Sequence, residues 1–261
     1  MDLRAFAKDI EACATSPWVA SYRLRATAAL MLERWNDYSP FKWQPDVGIG
    51  ITRGQRKWPL QMRMSSEDYA AYRELFLCGY YDHDLGQPAT ILDLGGYCGY
   101  TAIAFSARFP QARIAAVEPH PANFAALSTN VKLNGLPVTA IQAAATPVDG
   151  PVELFLGGGM THGLTPNRFS TGDQITVQGL SVPAILARLG WDAVDLLKID
   201  IEGAEESIFQ ARQPWLSRVK TIIGEFHCDY RIPEIKRDLE PLNFQVSELP
   251  HRNIFMAVRA V

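Results

Sequence analysis

The chain has 261 residues, of which 48% are hydrophobic and 20% are charged, and its formal net charge is −3. This composition is typical of a globular protein with a full core, and it argues against wholesale binding to nucleic acid or to an acidic membrane surface. The four cysteines are scattered, without disulfide or zinc-ligand spacing. No run approaches the roughly 18 apolar residues of a membrane-spanning helix, and the N-terminal segment lacks a signal-peptide core, so we expect a cytoplasmic protein.

Residues 1–85 are predicted to form a mainly helical extension. The segments LRAFAKDIEACA, SYRLRATAALMLERW and SSEDYAAYRELFLCGYY carry helical patterns, and Ser65 or Ser66 is expected to cap the third. The stretch ITRGQRKWPLQMR holds four basic residues and no acid. It predicts a solvated loop or an edge hairpin, or alternatively a wall that faces an anionic group. We expect the extension to act as a cap that selects the substrate, or as the surface of a homodimer.

Residues 86–261 alternate between predicted strands and helices. The strands are TILDLG, RIAAVEP, VTAIQAAAT, VELFLGG, VDLLKIDI and KTIIGEFHC, and the helices are YTAIAFSARF, ANFAALSTNVKLNG, VPAILARLG, AEESIFQA and PEIKRDLEPL. FQVSEL and NIFMAVRAV are expected to form a final antiparallel pair. Such alternation predicts parallel βαβ units, and the strands that are apolar on both faces predict an α/β sheet with helices on both sides.

The turn after the first of these strands, ILDLGGYCGY, is expected to hold a ligand. Gly95, Gly96 and Gly99 have the spacing G-G-x-x-G, whereas a dinucleotide site needs G-x-G-x-x-G and a P-loop needs G-K-[ST]. This spacing disfavours a nicotinamide-dependent oxidoreductase. Asp93 lies two residues before the turn, where it would repel a pyrophosphate but attract a positively charged group.

The second predicted strand ends at Glu118, whose carboxylate can accept two hydrogen bonds from a ribose diol. Together with Asp93, this residue favours a nucleoside that carries a cation in place of a diphosphate. S-adenosylmethionine, with a ribose, a sulfonium and an ammonium group, fits this description.

Three motifs give the chain a family resemblance. DLGGYCGYTA, AVEPHPANFAALSTNVKLNG and LLKIDIEGAEESIF, followed by IIGEFH, resemble the motifs of the FkbM family of S-adenosylmethionine-dependent methyltransferases over roughly residues 88–228. The resemblance implies the class I methyltransferase fold, in which a mostly parallel sheet of about seven strands ends in an antiparallel strand. Tyr97 stands where the family commonly has Asn, and Gly96 where it has Ala.

The resemblance also implies which residues bind the cofactor. Residues of the first motif should line the methionine end, where Tyr97 could stack on or cover the ligand, and Glu118 should take the ribose hydroxyls. Pro119 and Asn123 should lie near the adenosine, and the turn at residues 142–144 should approach the adenine. The full set of expected cofactor-binding residues is Asp93, Gly95, Gly96, Tyr97, Gly99, Glu118, Pro119, Asn123, Gln142, Ala143 and Ala144.

Acidic residues and one histidine at two strand ends are the candidates for catalysis. Asp200 follows an apolar strand, and Glu225 and His227 share a face at the end of the next one. We expect His227 or Asp200 to act as a general base, and Asp200 with Glu225 to bind a magnesium or manganese ion if one is present. Alternatively, His227 is only a hydrogen-bonded core residue, and Glu202 and Glu205 only charge the next helix.

Two further features have alternative interpretations. Lys198 is expected to pair with a neighbouring carboxylate. The loop GGGMTHGLTP carries His162, which is either a residue that reaches the acceptor or part of a plain surface loop.

The expected activity is methyl transfer from S-adenosylmethionine to a hydroxyl of a small molecule. The oxygen acceptor follows from the resemblance, because FkbM proteins commonly methylate sugars and natural-product hydroxyls. Transfer to nitrogen and a non-catalytic, cofactor-binding scaffold are the alternatives. Neither a nucleic acid nor a membrane is expected as a partner.

Overall fold

The computed structural model describes residue 11 and residues 46–53, 56–63, 65–157, 162–164, 170–211, 214–251 and 253–260. The two helices predicted before residue 46 lie outside the described residues. Within the described part of the chain, no helix has the length and apolar character needed to cross a membrane.

The described N-terminal part begins with a β-hairpin. Strands β1 (Asp46–Arg53) and β2 (Arg56–Arg63) pair antiparallel, and helix α1 (Ser66–Tyr72) continues into a π-helical turn, Arg73–Leu77. The side chain of Ser65 accepts a hydrogen bond from the Asp68 N–H, which confirms the predicted cap. The basic stretch therefore forms a hairpin, one of its predicted alternatives, as a separate two-stranded sheet. The mainly helical extension is not supported: among the described residues before residue 86, strands occupy 46–53 and 56–63, and helix, apart from residue 11, is confined to 66–77.

The remaining elements form one large sheet, one small sheet and their helices. The strands are β3 (Thr90–Leu94), β4 (Arg113–Val117), β5 (Val138–Ile141), β6 (Ala144–Thr146), β7 (Gly150–Gly157), β8 (Ser170–Ser181), β9 (Val194–Ile199), β10 (Val219–Glu225), β11 (Phe244–Glu248) and β12 (Ile254–Arg259). The helices are α2 (Tyr100–Arg108), α3 (Pro121–Leu133), α4 (Val182–Leu189), α5 (Glu205–Gln210) and α6 (Ile232–Leu239), with 3-10 turns at Pro214–Arg218 and Glu240–Leu242.

The large sheet has seven strands in the order β11-β12-β10-β9-β3-β4-β5. All neighbours are parallel except β12, which runs antiparallel to both β10 and β11. The strand order reverses between β3 and β9, so the carboxyl ends of these two strands open the crevice in which such sheets bind ligands. This is the class I methyltransferase architecture that the sequence predicted.

Helices cover the sheet on both faces because its central strands are apolar on both sides. Ile91 of β3 and Leu196 of β9 belong to one buried cluster, and their neighbours Leu92 and Leu197 belong to another. Alternate residues of a strand point to opposite faces. The first cluster includes side chains of α1 and α2, and the second includes side chains of α4, α5 and α6.

A small sheet in the order β6-β8-β7 is inserted before α4. The sequence predicted VTAIQAAAT as one strand, but the strand is interrupted at Gln142 and Ala143. Its first part, β5, joins the large sheet, and its second part, β6, joins the small one. Strand β8 had no predicted counterpart. Its centre does alternate, with Ile175 and Val177 between Gln174, Thr176 and Gln178, but two apolar residues are a short signal for a strand of this length.

Asparagines on α3 hold the hairpin against the sheet. The side chain of Asn130 donates to the Gln61 carbonyl at 3.0 Å and accepts from the Gln61 N–H at 2.7 Å, so it pairs with β2 as a neighbouring strand would. It also donates to the Cys98 carbonyl, and Asn134 donates to the Pro59 carbonyl at 2.7 Å. These bonds connect the hairpin to the turn that follows β3.

We expect Asn130→Ala to lower the free energy of unfolding by about 2–4 kcal/mol, because it removes the side-chain partner of three backbone groups. Urea denaturation followed by circular dichroism measures the change. Thr129→Ala is the matched control: this exposed neighbour bonds the Ala125 carbonyl of its own helix, and its loss should cost about 0.5 kcal/mol or less. Equal stability of the two variants would contradict the assigned role of Asn130.

Candidate active site

A cleft opens at the carboxyl ends of β3, β4, β9 and β10. It encloses about 1190 Å³, including the solvent at its mouth. Residues 95–98, Tyr100 and Thr101 form its floor. Residues 71–81 form one side, which we call the N-terminal wall, and no described residue of the hairpin lines the cleft. The alternative that the basic hairpin faces an anionic ligand therefore has no support.

The glycine turn is shaped by close backbone packing. Gly95 has a φ of +87°, and a Cβ atom there would lie 1.8 Å from the carbonyl oxygen of Asp200. Gly99 also has a φ of +87° and caps α2, and a Cβ atom there would lie 3.2 Å from the backbone of Leu127. Glycine is thus required at these positions by the fold itself. Gly95 and Gly96 line the cleft, whereas Gly99 is buried beside α3.

Lys198, which lines the cleft, joins the ends of the two central strands. Its ammonium lies 3.1 Å from Asp93 and 3.5 Å from Asp200, and it donates to the Gly95 carbonyl at 2.6 Å. Burial works against the charge on Lys198, but the two carboxylates outweigh it and raise its pKa. The predicted pairing of Lys198 with a carboxylate is confirmed.

This pairing changes the expected position of Asp93. Its side chain is fully buried and lies outside the cleft lining, where Oδ1 forms an ion pair with Lys198 at 3.1 Å and Oδ2 accepts from the Thr101 hydroxyl at 2.5 Å. Asp93 therefore lies below the cleft and positions Lys198 and the glycine turn. The cation that Asp93 was expected to attract from a ligand is supplied by the protein.

Glu118 faces the cleft at the end of β4. Its two oxygens accept hydrogen bonds from the backbone N–H groups of Tyr97 at 3.0 Å and His120 at 2.9 Å. Burial raises the pKa of Glu118 to about 7, against these hydrogen bonds and one from Asn123. Pro119 and Asn123 also line this end of the cleft.

Two stacked histidines lie beside Glu118. The rings of His120 and His162 are 4.3 Å apart and nearly parallel, and burial lowers the pKa of both, to about 4 for His162. His162 lines the cleft but lies at the Glu118 end, away from the acidic residues that were expected to meet the acceptor. Within the predicted adenine turn, only Ala144 reaches the cleft, because Gln142 is exposed and Ala143 is buried in the core.

The opposite end of the cleft is built around His227. Its Nδ1 lies 3.0 Å from an oxygen of Glu205, which is fully buried and also accepts from the Ile201 and Gly203 N–H groups. Its Nε2 lies 3.8 Å from Asp200 and 3.7 Å from Glu202. Glu205 thus fixes the ring through one nitrogen and directs the other toward the carboxylates of the cleft.

The acidic residues here perturb one another. Burial and the charge of Asp200 raise the pKa values of Glu202 and Glu225 to about 8, and they raise that of Glu74 to about 7. Burial opposes the charge on His227, but Glu205 and the other carboxylates raise its pKa to about 10. Without a bound cation, the cleft therefore carries more carboxylates than it can keep ionised at neutral pH.

The structure brings the three predicted catalytic residues together, since Asp200, Glu225 and His227 all line the cleft, and Glu225 lies 4.0 Å from the His227 Nε2. The set able to hold a metal ion differs from the prediction: ligand atoms of Asp200, Glu202 and His227 lie within 4.8 Å of one another. Glu202 has an unusual φ of +55°, which sequence patterns do not reveal.

The N-terminal wall supplies residues that the sequence analysis missed. Glu74 and Leu75 come from the π-helical turn, and Tyr80 and Tyr81 follow it. The Tyr81 hydroxyl donates to Asp200 at 3.5 Å. Helical periodicity could not place Glu74, because a π-helical turn changes the phase of the side chains, and such turns are frequent at functional sites.

The strand order, the glycine turn and the two acidic ends of one cleft define a methyltransferase of class I. A family model, described as the methyltransferase FkbM domain, matches residues 78–246. The chain therefore belongs to the FkbM methyltransferase family.

Individual relatives are distant. Methyltransferase sdnD of Sordaria araneosa is 26% identical over 213 residues, which cover 67% of this chain and 82% of that protein. A crystal structure of methyltransferase FkbM from Methylobacillus flagellatus aligns at 15% identity with a TM-score of 0.47, over 65% of this chain but only 43% of that one. The fibrillarin pre-rRNA processing protein of Methanococcus jannaschii aligns at 12% identity with a TM-score of 0.49, over 85% and 92% of the two chains.

We expect His227 to remain doubly protonated at neutral pH in the ligand-free protein and to titrate near pH 10. A histidine of the unfolded chain titrates near pH 6.5, so the folded protein binds this proton more tightly. The resulting stability is fully present below about pH 6.5 and is lost as the pH rises toward 10. Nitrogen-15 NMR of the imidazole measures the titration directly.

Two carboxylate variants test whether Glu205 raises the pKa of His227. In Glu205→Gln the pKa of His227 should fall toward its ordinary value, because the hydrogen-bonded charge is gone. Glu206→Gln, which alters the exposed neighbour that bonds Gln210, should leave the titration unchanged. A wild-type titration near pH 6.5 would show that the carboxylates do not act on His227 as described.

Proposed function

We propose that the cleft binds S-adenosylmethionine and that the protein transfers its methyl group to a hydroxyl of a small molecule. The observation that carries the proposal is the position of Glu118 at the end of β4, with both oxygens oriented by backbone N–H groups toward one end of the cleft. A carboxylate held in this way can accept hydrogen bonds from both hydroxyls of a ribose.

The opposite end of the cleft suits the positive charge of the same cofactor. Asp200, Glu202 and Glu225 face the cleft there. Lys198 also lines the cleft, but its ammonium is already paired with Asp93 and Asp200, so His227 is the remaining cation among the described side chains of the lining. A sulfonium or ammonium group would offset these carboxylates. The residues present therefore fit a cationic nucleoside, with Glu118 and Asn123 toward the ribose and the acidic residues toward the charged end.

S-adenosylmethionine supplies a methyl group that its sulfonium already activates. The protein must hold the acceptor in line with that methyl group and remove the hydroxyl proton. His227 is placed for the second task, since Glu205 fixes its Nδ1 and its Nε2 faces the cleft. Cationic charge in the cleft opposes the carboxylates that hold the His227 proton, and so lowers its pKa toward the range in which an imidazole accepts a proton at neutral pH.

A divalent cation is a second way in which the same residues could activate the acceptor. Asp200, Glu202 and His227 offer two carboxylate oxygens and one imidazole nitrogen, a donor set that suits magnesium or manganese better than zinc. With Nδ1 held by Glu205, His227 would bind such an ion through Nε2 and would then be a ligand and not the base. The ion itself would polarise the acceptor oxygen and ease the loss of its proton.

The acidic end of the cleft also supports a second candidate, transfer to an amine. Glu74, from the N-terminal wall, adds a carboxylate that faces the same space as Asp200 and Glu225. Carboxylates could bind an ammonium group, and a neutral amine needs no strong base to accept a methyl group. The identity of the acceptor atom distinguishes the two candidates.

Glu118→Gln should weaken binding of S-adenosylmethionine and S-adenosylhomocysteine by about 10- to 100-fold, because the ribose loses charge-assisted hydrogen bonds. Isothermal titration calorimetry measures the affinities. Glu153→Gln is the matched control, since this side chain bonds Thr176 on the surface of the small sheet. Unchanged binding in Glu118→Gln, or tight binding of a nicotinamide dinucleotide by the wild type, would overturn the proposal.

His227→Ala should lower kcat with hydroxyl acceptors by about 100-fold or more and change cofactor affinity by no more than about twofold. Single-turnover methyl transfer from labelled cofactor, measured across pH with a panel of sugars, polyols, phenols and amines, tests this. Asp229→Ala, at an exposed position two residues later, is the control.

The same assay addresses the cation and the acceptor atom. After treatment with EDTA, adding Mg²⁺ or Mn²⁺ should restore hydroxyl transfer in the wild type but not in Glu202→Gln, because the variant loses one carboxylate of the cluster. Full activity in EDTA would exclude the cation from the mechanism. Methylation confined to amines, with an unaltered rate in His227→Ala, would favour the second candidate.

A further inference from the structure

A ring of polar contacts connects the ribose end of the cleft to the N-terminal wall. Glu118 accepts from the Tyr97 N–H at 3.0 Å, and the Tyr97 hydroxyl donates to Asp68 at 2.8 Å. Arg63 donates to both oxygens of Asp68, and its Nη1 donates to the Asn123 side chain at 3.0 Å. Asn123 completes the ring, since its side chain favours the charged form of Glu118 and lowers the pKa of that carboxyl group against the larger effect of burial.

The members of this ring are firmly held. Asp68 is fully buried and pairs with Arg63 at 2.6 Å, a charge-assisted contact of the strong kind. The Arg63 guanidinium also lies 5.3 Å from the centre of the Tyr97 ring. Tyr97 has a φ of +46°, a conformation that bulky residues rarely adopt and that the surrounding contacts must maintain. Its two polar groups bond residues on opposite sides of the turn.

Asp68 links this ring to the N-terminal wall through α1. It lies in the first turn of α1, Ala71 follows it by three residues on the same side of the helix, and the π-helical turn that carries Leu75 continues directly from α1. Both of these residues line the cleft, as does Glu74. A displacement of Asp68 relative to Tyr97 therefore moves the surface that faces the acceptor.

We propose that Tyr97 and Asp68 are positioning residues that couple occupation of the ribose site to the placement of the N-terminal wall. The inference rests on the proposed function, since the ribose is that of S-adenosylmethionine. Ribose hydroxyls that donate to Glu118 stabilise its charged form. The charged carboxylate binds the Tyr97 N–H more tightly, which fixes the turn and, through the Tyr97 hydroxyl, the first turn of α1.

Hydrogen–deuterium exchange on the full chain, with and without saturating S-adenosylhomocysteine, tests the coupling without any acceptor. In the wild type, the ligand should slow exchange by about tenfold both at the cofactor turn, residues 95–101, and in residues 66–77. In Tyr97→Phe, the slowing of residues 66–77 should fall below twofold, while that of the turn is retained. Ligand-dependent slowing is the measured quantity, so a general loss of stability does not imitate it.

Tyr230→Phe is the matched control. Tyr230 donates to Asp238 at 3.1 Å, and Arg237 also bonds Asp238. This triad repeats the Arg63–Asp68–Tyr97 chemistry on α6, and its residues do not line the cleft. The variant loses an equivalent hydrogen bond, and its ligand-dependent exchange should equal that of the wild type.

The possible outcomes separate the coupling from the proposed function. Absence of slowing anywhere in the wild type contradicts cofactor binding itself. Slowing at residues 95–101 without slowing at residues 66–77, or equal slowing of residues 66–77 in the wild type and Tyr97→Phe, overturns the coupling alone. Asp68→Asn and the double variant provide a second measurement: if both substitutions break one connection, the double variant should lose no more coupling than either single variant.

Discussion

The site depends on one buried ammonium group placed between two carboxylates. Asp93 and Lys198 are direct neighbours on adjacent parallel strands, and Asp200 follows at the end of the second strand. A charge with so little exposure is tolerable only because it is paired on two sides and also bonds the Gly95 carbonyl. The contact aligns the two strand ends, and this alignment fixes both the glycine turn above β3 and the acidic loop after β9.

The cleft has two chemically different halves, one on each side of Lys198. On the side of β4, backbone N–H donors orient Glu118, and burial keeps the stacked imidazoles of His120 and His162 neutral. On the side of β10, carboxylates crowd around one imidazolium, and their repulsion is relieved only by protons or by an incoming cation. A ligand that is a neutral nucleoside at one end and a cation at the other satisfies both halves.

The sequence allowed the large sheet to be predicted because its strands are short apolar runs bounded by turn residues, such as ILDL before Gly95. It also placed Glu118, Asp200 and His227 near the crevice, because parallel strands end at the same edge. The sequence could not show that Lys198 would form its ion pair with Asp93, since that contact depends on the register between β3 and β9. Strand β8 was missed because only Ile175 and Val177 mark its alternation. The break at Gln142 and the contribution of Glu74 escaped prediction because neither follows a simple apolar period.

The π-helical turn at Arg73–Leu77 has a consequence for the acidic end of the cleft. A turn of this type accommodates one residue more than an α-helical turn, so the side chains after it are rotated relative to those before it. Losing or gaining a single residue there would exchange Glu74 for a neighbour and leave the glycine turn and Glu118 in the sequence unchanged. The insertion or deletion of one residue can therefore alter the charge of this wall independently of the opposite end of the cleft.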